Sequence, residues 1–456
     1  MYLLGVLFMV LGVGISIALH EIGHLVPAKK FGVKCSQYMI GFGPTLWSRT
    51  RGDTEYGIKA VPLGGYVRML GMFPPKAETG LKAKAKSGRW AAMIEDARND
   101  SLAEVKPGEE HRVFYRLSTP KKIVVMLGGP VMNLFLATLI MGGLIMANGL
   151  PIEQPGARVG SISQCVRPVD GSASAASSPC TASDTPSPAA AAGLQPNDRF
   201  VSIAEQPVTE PGDIAELVRP HAGEAIPIVV DRGGQQLTLT VTPIANTVPQ
   251  IDPGTGQPVR ENGQVVTTTA GFIGVSAAPL PPVGRDHSLA QLPGVITDAV
   301  VQTGRIVLTL PQRLVDVWYA AFGTAERDQN GPISVVGVGR VAGEVSSGQV
   351  WADPDTGAAL PLRDRLITLW SLLASLNIAL FVFNLIPLLP LDGGHVAGAV
   401  WEAVKRAFAR VFRRPDPGYV DVAKALPLTY GVTLVLLSMS VLLIYADIVN
   451  PIDLGG

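Results

Sequence analysis

Charge is what this sequence has least of. Asp, Glu, Lys and Arg make up 16% of the 456 residues, where soluble proteins carry about 25%, and the mean hydropathy is positive. A single water-soluble globule is ruled out by that shortage. An excess of one sign is also missing, since 37 basic residues balance 37 acidic ones. No overall surplus is left to neutralise phosphates, so nucleic acid is not expected as a partner. Cysteine is rare: Cys35, Cys165 and Cys180 are too few for a disulfide framework or a Cys-rich zinc site. Any metal ligands must therefore be of other residue types. Lysine is absent throughout Pro151 to Asp364, and neither terminal tail holds Lys or Arg.

Long apolar runs are abundant. Four have the ~20 residues that a bilayer-spanning helix needs: Met1 to Leu19, continuing past His20, Glu21 and His24 to Val26, then Ile123 to Leu150, Leu366 to Leu391, and Leu426 to Ile448. The first lacks the basic start and small-residue cleavage site of a signal peptide, and reads as a transmembrane helix over 1–27. Basic residues concentrate in loops that stay in the cytosol. Here they are Lys29, Lys30 and Lys34, then Lys121 and Lys122, and finally Lys405, Arg406, Arg410, Arg413 and Arg414. Segments 28–122 and 396–425 are thus expected in the cytosol, with both termini and 151–365 outside it. The fold class expected is an α-helical polytopic membrane protein with transmembrane helices at 1–27, 123–150, 366–395 and 426–448. Within 28–122, strands are expected at about 38–72 and a charged, solvated insert at 74–110.

The long outer segment must hold a folded domain. Gly156 to Ile162 reads as a strand, followed at 163–192 by a flexible insert rich in Ser, Ala and Pro. Arg199 to Ile203 is a strand, Gly212 to Val218 a helix, and Ile226 to Val230 with Gln236 to Val241 a hairpin turned by Gly233 and Gly234. With Ala-Gly-Leu-Gln-Pro-Asn-Asp198 leading into Arg199, this succession resembles a PDZ domain over about 156–245. The resemblance implies capture of an extended peptide as an added strand. Cys165 and Cys180 either pair in that compartment or remain as two thiols. Ile306 to Phe322 has helix-like spacing that suits either the outer membrane surface or an ordinary packed helix.

Ionisable groups within a span cost on the order of 3 kcal/mol each, and two clusters lie there. His20-Glu21-Ile-Gly-His24 places two imidazoles at i and i+4 on one helix face, suited to one Zn²⁺, with Glu21 beside them to handle a proton. A third ligand is required. Glu55 is near in sequence but falls in an expected strand, whereas Asp392 follows Pro387 and Pro390, which interrupt the third span, and precedes Gly393 and Gly394, which free the backbone. Asp392 is accordingly the expected ligand, making a zinc site between helices 1 and 3. The alternative is a helix-capping carboxylate. His395 is a partner of Asp392 or a competing ligand. Asn384 serves either an interhelical hydrogen bond or a substrate carbonyl and its oxyanion.

Together these residues resemble the site-2 proteases, intramembrane zinc metalloproteases, in the bacterial sigma-factor-regulating form. The likeness rests on the His-Glu-x-x-His, on Asn384-x-x-Pro387 with Leu-Asp-Gly-Gly-His395, and on three further stretches. Gly41-Phe-Gly43 resembles the family's G-x-G loop, Pro62 to Leu70 its membrane-associated hairpin, and Gly129-Pro-Val-Met-Asn133 its second core helix. The resemblance implies cleavage, within the bacterial plasma membrane, of single-span proteins already trimmed outside: anti-sigma factors, sometimes remnant signal peptides. An extended substrate is expected to pair with the strand that begins Glu55, Tyr56, Gly57 and the neighbouring hairpin. One PDZ copy and the ending Asn450-Pro-Ile are closer to actinobacterial members than to enterobacterial ones. A scaffold with inert polar residues, or an ion transporter, would leave the His-Glu-x-x-His unexplained.

Overall fold

The computed structural model describes residues 1–75, 89–166, 180, 184–250, 259–261, 264–323, 327, 331–348 and 359–452. In chain order the main elements are α1 (Tyr2–Lys30), β1 (Cys35–Arg51), β2 (Thr54–Met69), α2 (Arg89–Ala103) and α3 (Thr119–Asn148). There follow β3 (Ala157–Ile162), β4 (Arg199–Ile203), α4 (Pro211–Val218), β5 (Ile226–Arg232), β6 (Gln235–Val241) and β7 (Val275–Pro279). The chain closes with α5 (Leu292–Phe322), α6 (Val335–Ser347), α7 (Leu362–Asn384), α8 (Asp392–Val411) and α9 (Leu426–Val449). It divides into two compact units: Met1–Leu144 with Leu289–Pro311 and Pro332–Gly456, and Ile145–Ser288 with Gln312–Gly331.

In the first unit, α1, α3, α7 and the helical stretch Val422–Val449 are long and apolar enough to cross a membrane. Mixed helix and strand content of this kind fits a polytopic membrane protein. Small residues bring the helix backbones together. A Cβ on Gly23 would lie 2.2 Å from the Gly128 carbonyl oxygen, so α1 and α3 touch backbone to backbone. Asn377 of α7 donates to Ser16 of α1 at 3.0 Å, deep in the apolar packing. Between α1 and α7 packs α6, a helix the apolar runs did not reveal, with Met9, Ala342, Val345, Leu369 and Leu373 as a shared core. Ser334 caps α6 by accepting from the Val336 and Gly337 N–H groups, and Gly348 ends it at φ +79°.

The strands β1 and β2 are long enough to pair more than once. Thr50 lies opposite Glu55 and Ser48 opposite Gly57, while the start of β1 pairs on both sides: Met39 faces both Tyr66 and Gly57. Glu55 to Ile58 is therefore an inner strand, flanked by Trp47–Thr50 and by Gln37–Ile40. The expectation that its edge is free to pair with a substrate is corrected, because its hydrogen-bonding directions on both sides are taken by β1. Gly41 and Gly43 also sit within β1 rather than in a loop; their φ values of +90° and +84° allow the strand to bend there at little cost.

The third span ends earlier than its apolar run. α7 stops at Asn384, and residues 385–391 fold back before α8 begins at Asp392. A Cβ on Gly393 would lie 2.4 Å from the Ile386 carbonyl oxygen, and one on Gly394 2.6 Å from the Leu389 nitrogen. Only glycine fits at both places, and this tight return sets Asp392 in the first turn of a new helix. Segment 396–425, expected as a cytosolic loop, thus begins with the continuation of α8 as far as Val411. The charged insert contains α2, whose Arg98 is buried and pairs with Asp421 and Glu95; a buried ion pair is not a freely solvated segment. Residues 76–88 lie outside the described residues.

The second unit is built on a sheet ordered β6-β5-β4-β3-β7, with all neighbours antiparallel. Phe200, Ile203, Ile228, Val230 and Val159 fill one core below α4. Each such side chain contributes about 1.5–3 kcal/mol by leaving water. Val275 pairs with Ile162 and Pro279 with Ala157, so the sheet reaches past the expected boundary at 245. The sequence signal missed β7 because 33 residues separate it from β6. Cys165 and Cys180 are joined as a disulfide, and Cys165–Val166 pairs with Thr185–Pro186. Both ends of the expected flexible insert are thereby ordered; 167–179 and 181–183 lie outside the described residues. α5 begins well before the expected Ile306, at Leu292. Leu308, Trp318 and Phe322 are exposed on it.

Candidate metal centre

Three donors from two helices converge in the first unit. The Nε2 atoms of His20 and His24, one turn apart on α1, lie 3.2 Å from each other. Each is 3.3 Å from Oδ2 of Asp392 at the start of α8. Donors bound to one tetrahedral ion at about 2.0–2.1 Å are about 3.3–3.4 Å apart, so the triangle has the size of one face of such a site. The set is the sole cluster of this kind among the described residues.

The protons explain why a cation belongs there. His24 donates from Nδ1 to the Val125 carbonyl at 2.8 Å, leaving Nε2 with a lone pair. His20 Nδ1 is 3.1 Å from the side-chain amide of Asn133, a fully buried residue of α3. The two amide orientations differ only in exchange of oxygen and nitrogen; with the oxygen toward His20, Nδ1–H donates and Nε2 is again a bare lone pair. Asp392 Oδ2 is buried without a hydrogen-bond partner. Two lone pairs and a carboxylate oxygen facing one another at this distance repel unless a positive charge lies among them. Space is kept beside them by Gly129, where a Cβ would fall 2.3 Å from His24 Nε2 and 2.6 Å from His20 Nε2. The arrangement can hold a divalent cation and leave one side open.

Glu21 stands next to this cluster, not in it. Its carboxylate accepts from the Val67 N–H, and its Cγ would be 3.1 Å from a Cβ on Gly65. The stretch Gly65 to Met69 pairs with β1 on one side only, and no strand covers its other side among the described residues. Tyr38 of β1 donates to the Ala18 carbonyl at 2.8 Å, fastening the sheet to α1 two residues before His20. Burial pushes its hydroxyl up to about 12, so it stays a neutral donor at physiological pH.

The remaining expected site residues are elsewhere. Glu55 accepts from Gln37 at 3.0 Å and is held below the usual carboxylate range by the Ser48 hydroxyl and that amide; it is not in the donor cluster. Tyr56 accepts from Lys29 at 2.8 Å. Gly57 lies under Met39 and Trp47, and Gly41 against the Val61 carbonyl. Asn384 is half-buried at the end of α7. His395 turns away into a small cavity lined by Lys122, Glu402 and Phe114. Asn133, Val125, Gly129 and Val67 escaped sequence reasoning as site residues. Gly129 and Asn133 stand in a quoted motif, but nothing in their spacing says that they touch His20.

Comparison with known proteins decides the family. The model of peptidase family M50 matches residues 8–414, a span that includes all three donors. The chain belongs to peptidase family M50. Zinc metalloprotease Rip1 of Mycobacterium tuberculosis is 33% identical over 461 residues, covering 100% of this chain and 99% of that protein. Rip1 of Mycolicibacterium smegmatis is 30% identical with the same coverage. Metalloprotease MmpA of Caulobacter vibrioides is 27% identical over 86% of this chain and 85% of its own length. Membership makes this M50 peptidase a metalloprotease of the membrane, and zinc is the cofactor the family uses.

Proposed function

We propose that this M50 peptidase hydrolyses a peptide bond within the transmembrane segment of pre-trimmed single-span membrane proteins, with anti-sigma factors as the leading substrates and remnant signal peptides as others. The observation that carries the proposal is the convergence of His20, His24 and Asp392 at 3.2–3.3 Å in a unit whose helices are long and apolar enough to cross a membrane. In this reading the three residues hold zinc. Zinc so bound supplies Lewis acidity that polarises a carbonyl and brings a water within reach of deprotonation at neutral pH. Glu21, beside the cluster, would take a proton from an attacking water and return it to the leaving amine. Val125 and Asn133 fix the imidazole tautomers.

A helical substrate hides its peptide bonds in its own hydrogen bonds and must unwind first. The open edge of Gly65 to Met69, which passes Glu21, suits the pairing of such an extended segment. Asn384, with no hydrogen-bond partner among the described residues, is a candidate donor to the substrate carbonyl or its oxyanion. The second unit is proposed as an extracytoplasmic PDZ-like domain that takes a peptide along the outer edge of β7 beside α4. The disulfide Cys165–Cys180 supports its placement outside the cytosol, as does the absence of Lys from 151–364. Both termini would lie on that side and the metal centre near the cytosolic face.

The test is cleavage of a trimmed single-span anti-sigma-factor fragment by purified full-length wild type and Glu21→Gln, with zinc measured in both. Wild type should cut within the span; the variant should keep its zinc and lose about 10²–10⁴-fold in rate. Cutting by Glu21→Gln at the wild-type rate removes Glu21 from the mechanism, and active wild type free of metal removes zinc.

A further inference from the structure

Helix α8 has three distinct sides. One is packed into the protein: Ala399, Glu402 and Ala409 are buried, with Glu402 accepting from Lys122 at 2.9 Å and pairing with Arg406 at 3.0 Å. A second points away from the protein and is apolar. Val400, Trp401, Val404, Phe408, Val411 and Phe412 recur at intervals of three and four, and all are exposed, Val411 by 76%. Water opposes a contiguous apolar face of this kind, which marks a surface of interaction. At the margins stand Lys405 and Arg410, and just past the helix end Arg413 and Arg414. None of these four has a carboxylate partner among the described residues, although the same helix's Arg406 has two.

We propose that this face of α8 is a binding surface for anionic phospholipid, with the apolar stripe in the acyl boundary and Lys405, Arg410, Arg413 and Arg414 on the headgroups. The chain itself brings the surface there. Seven residues separate α7 from α8 and ten separate α8 from the apolar stretch Val422–Val449, so α8 is tethered at both ends to segments long and apolar enough to cross the bilayer. Basic residues flanking an apolar, aromatic-bearing stripe are the pattern of a helix that lies in the plane of the interface, and each basic side chain near an anionic surface adds attraction. A soluble protein partner would have to displace lipid from a stripe held at the bilayer edge. Because Asp392 is the first residue of α8, seating the helix on lipid also steadies one corner of the donor triangle.

The test uses full-length protein in nanodiscs of phosphatidylcholine alone or with phosphatidylglycerol. Trp401 emission is taken as the difference between wild type and Trp401→Phe. It should be quenched by phospholipid brominated near the headgroup end of the chains and little by aqueous acrylamide. Wild-type peptidase activity should be roughly threefold or more higher with phosphatidylglycerol. The quadruple variant K405Q/R410Q/R413Q/R414Q should match wild type in phosphatidylcholine and lose that gain. Shielding of Trp401 from both quenchers would mean a protein cover, such as a second copy, and overturns the proposal. So does quenching by acrylamide alone, or a full phosphatidylglycerol gain in the quadruple variant. The quenching result stands apart from catalysis, so a failure of the proposed activity would not be mistaken for a failure of lipid binding.

Discussion

Two carboxylates, one in each unit, have opposite surroundings. Asp198 of the sheet unit is 2% exposed and accepts from Arg232 through Nε and Nη2, both at 2.7 Å, and from the Gln195 N–H at 2.8 Å. Burial alone would raise its pKa, yet those donors hold it below the usual carboxylate range. Asp392 of the helical unit has a buried Oδ2 with no hydrogen-bond donor and two imidazole nitrogens at 3.3 Å. The first carboxylate is complete within the protein and holds the sheet together. The second is complete only with a cation. A missing partner can therefore be as informative as a present one, provided that neighbouring groups are lone pairs too.

The largest test of this contrast is the exchange of each carboxylate for its amide. Asp392→Asn should reduce bound zinc well below one per chain and abolish peptidase activity, while the fold, followed by circular dichroism, persists. Zinc retained at full stoichiometry would put the third ligand elsewhere. Gly129→Ala comes next. The added Cβ would sit 2.3 Å from His24 Nε2, so zinc affinity and activity should fall on the order of 100-fold, more than for Gly143→Ala in the same helix, which meets nothing within 4 Å. Asn133→Ala removes the amide that orients His20 and should weaken zinc about 10–100-fold, with Asn133→Gln giving no rescue in so confined a site. Competition with a fluorescent zinc chelator reads both.

On the other side of the comparison, Asp198→Asn should leave zinc and basal activity intact and destabilise the sheet unit by about 2 kcal/mol. Faster amide exchange in Arg199–Ile203 and Ile226–Arg232 of the full chain would show it. The pH dependence has a definite sign. Because folding lowers the Asp198 pKa, its contribution is full above about pH 4, the unfolded value, and fades as pH falls through the lower folded value. Protection of those strands should therefore fall on acidification below pH 4 in wild type and change less in Asp198→Asn.

The sequence made some of this legible and hid the rest for physical reasons. His20, Glu21 and His24 are readable because helix spacing is fixed and no other element is needed to bring them together. Asp392 was reachable through the prolines and glycines around it, which are local signals. Asn133 was not, since its partner is 113 residues away and an amide in an apolar run has many possible uses. Glu55 to Gly57 read correctly as a strand, but whether its edges are free depends on β1 pairing twice, which alternation within one strand cannot reveal. α8 is not legible in 396–425 because its basic residues say on which side of the membrane the segment lies and not whether it is helical; the close backbone approach at Gly393 and Gly394 that starts the helix depends on residues 385–389.

The disulfide between Cys165 and Cys180 closes its loop at a Cα–Cα separation of 6.0 Å, next to paired strand ends at 165–166 and 185–186. The sheet therefore registers only the two anchored ends and not the amount of chain between them, because extending a closed loop adds little entropic cost. An epitope tag spliced between the two cysteines should leave the unit's core packing unchanged. A protease cut at the same place should go unnoticed on a non-reducing gel, the fragments parting only when thiol is added.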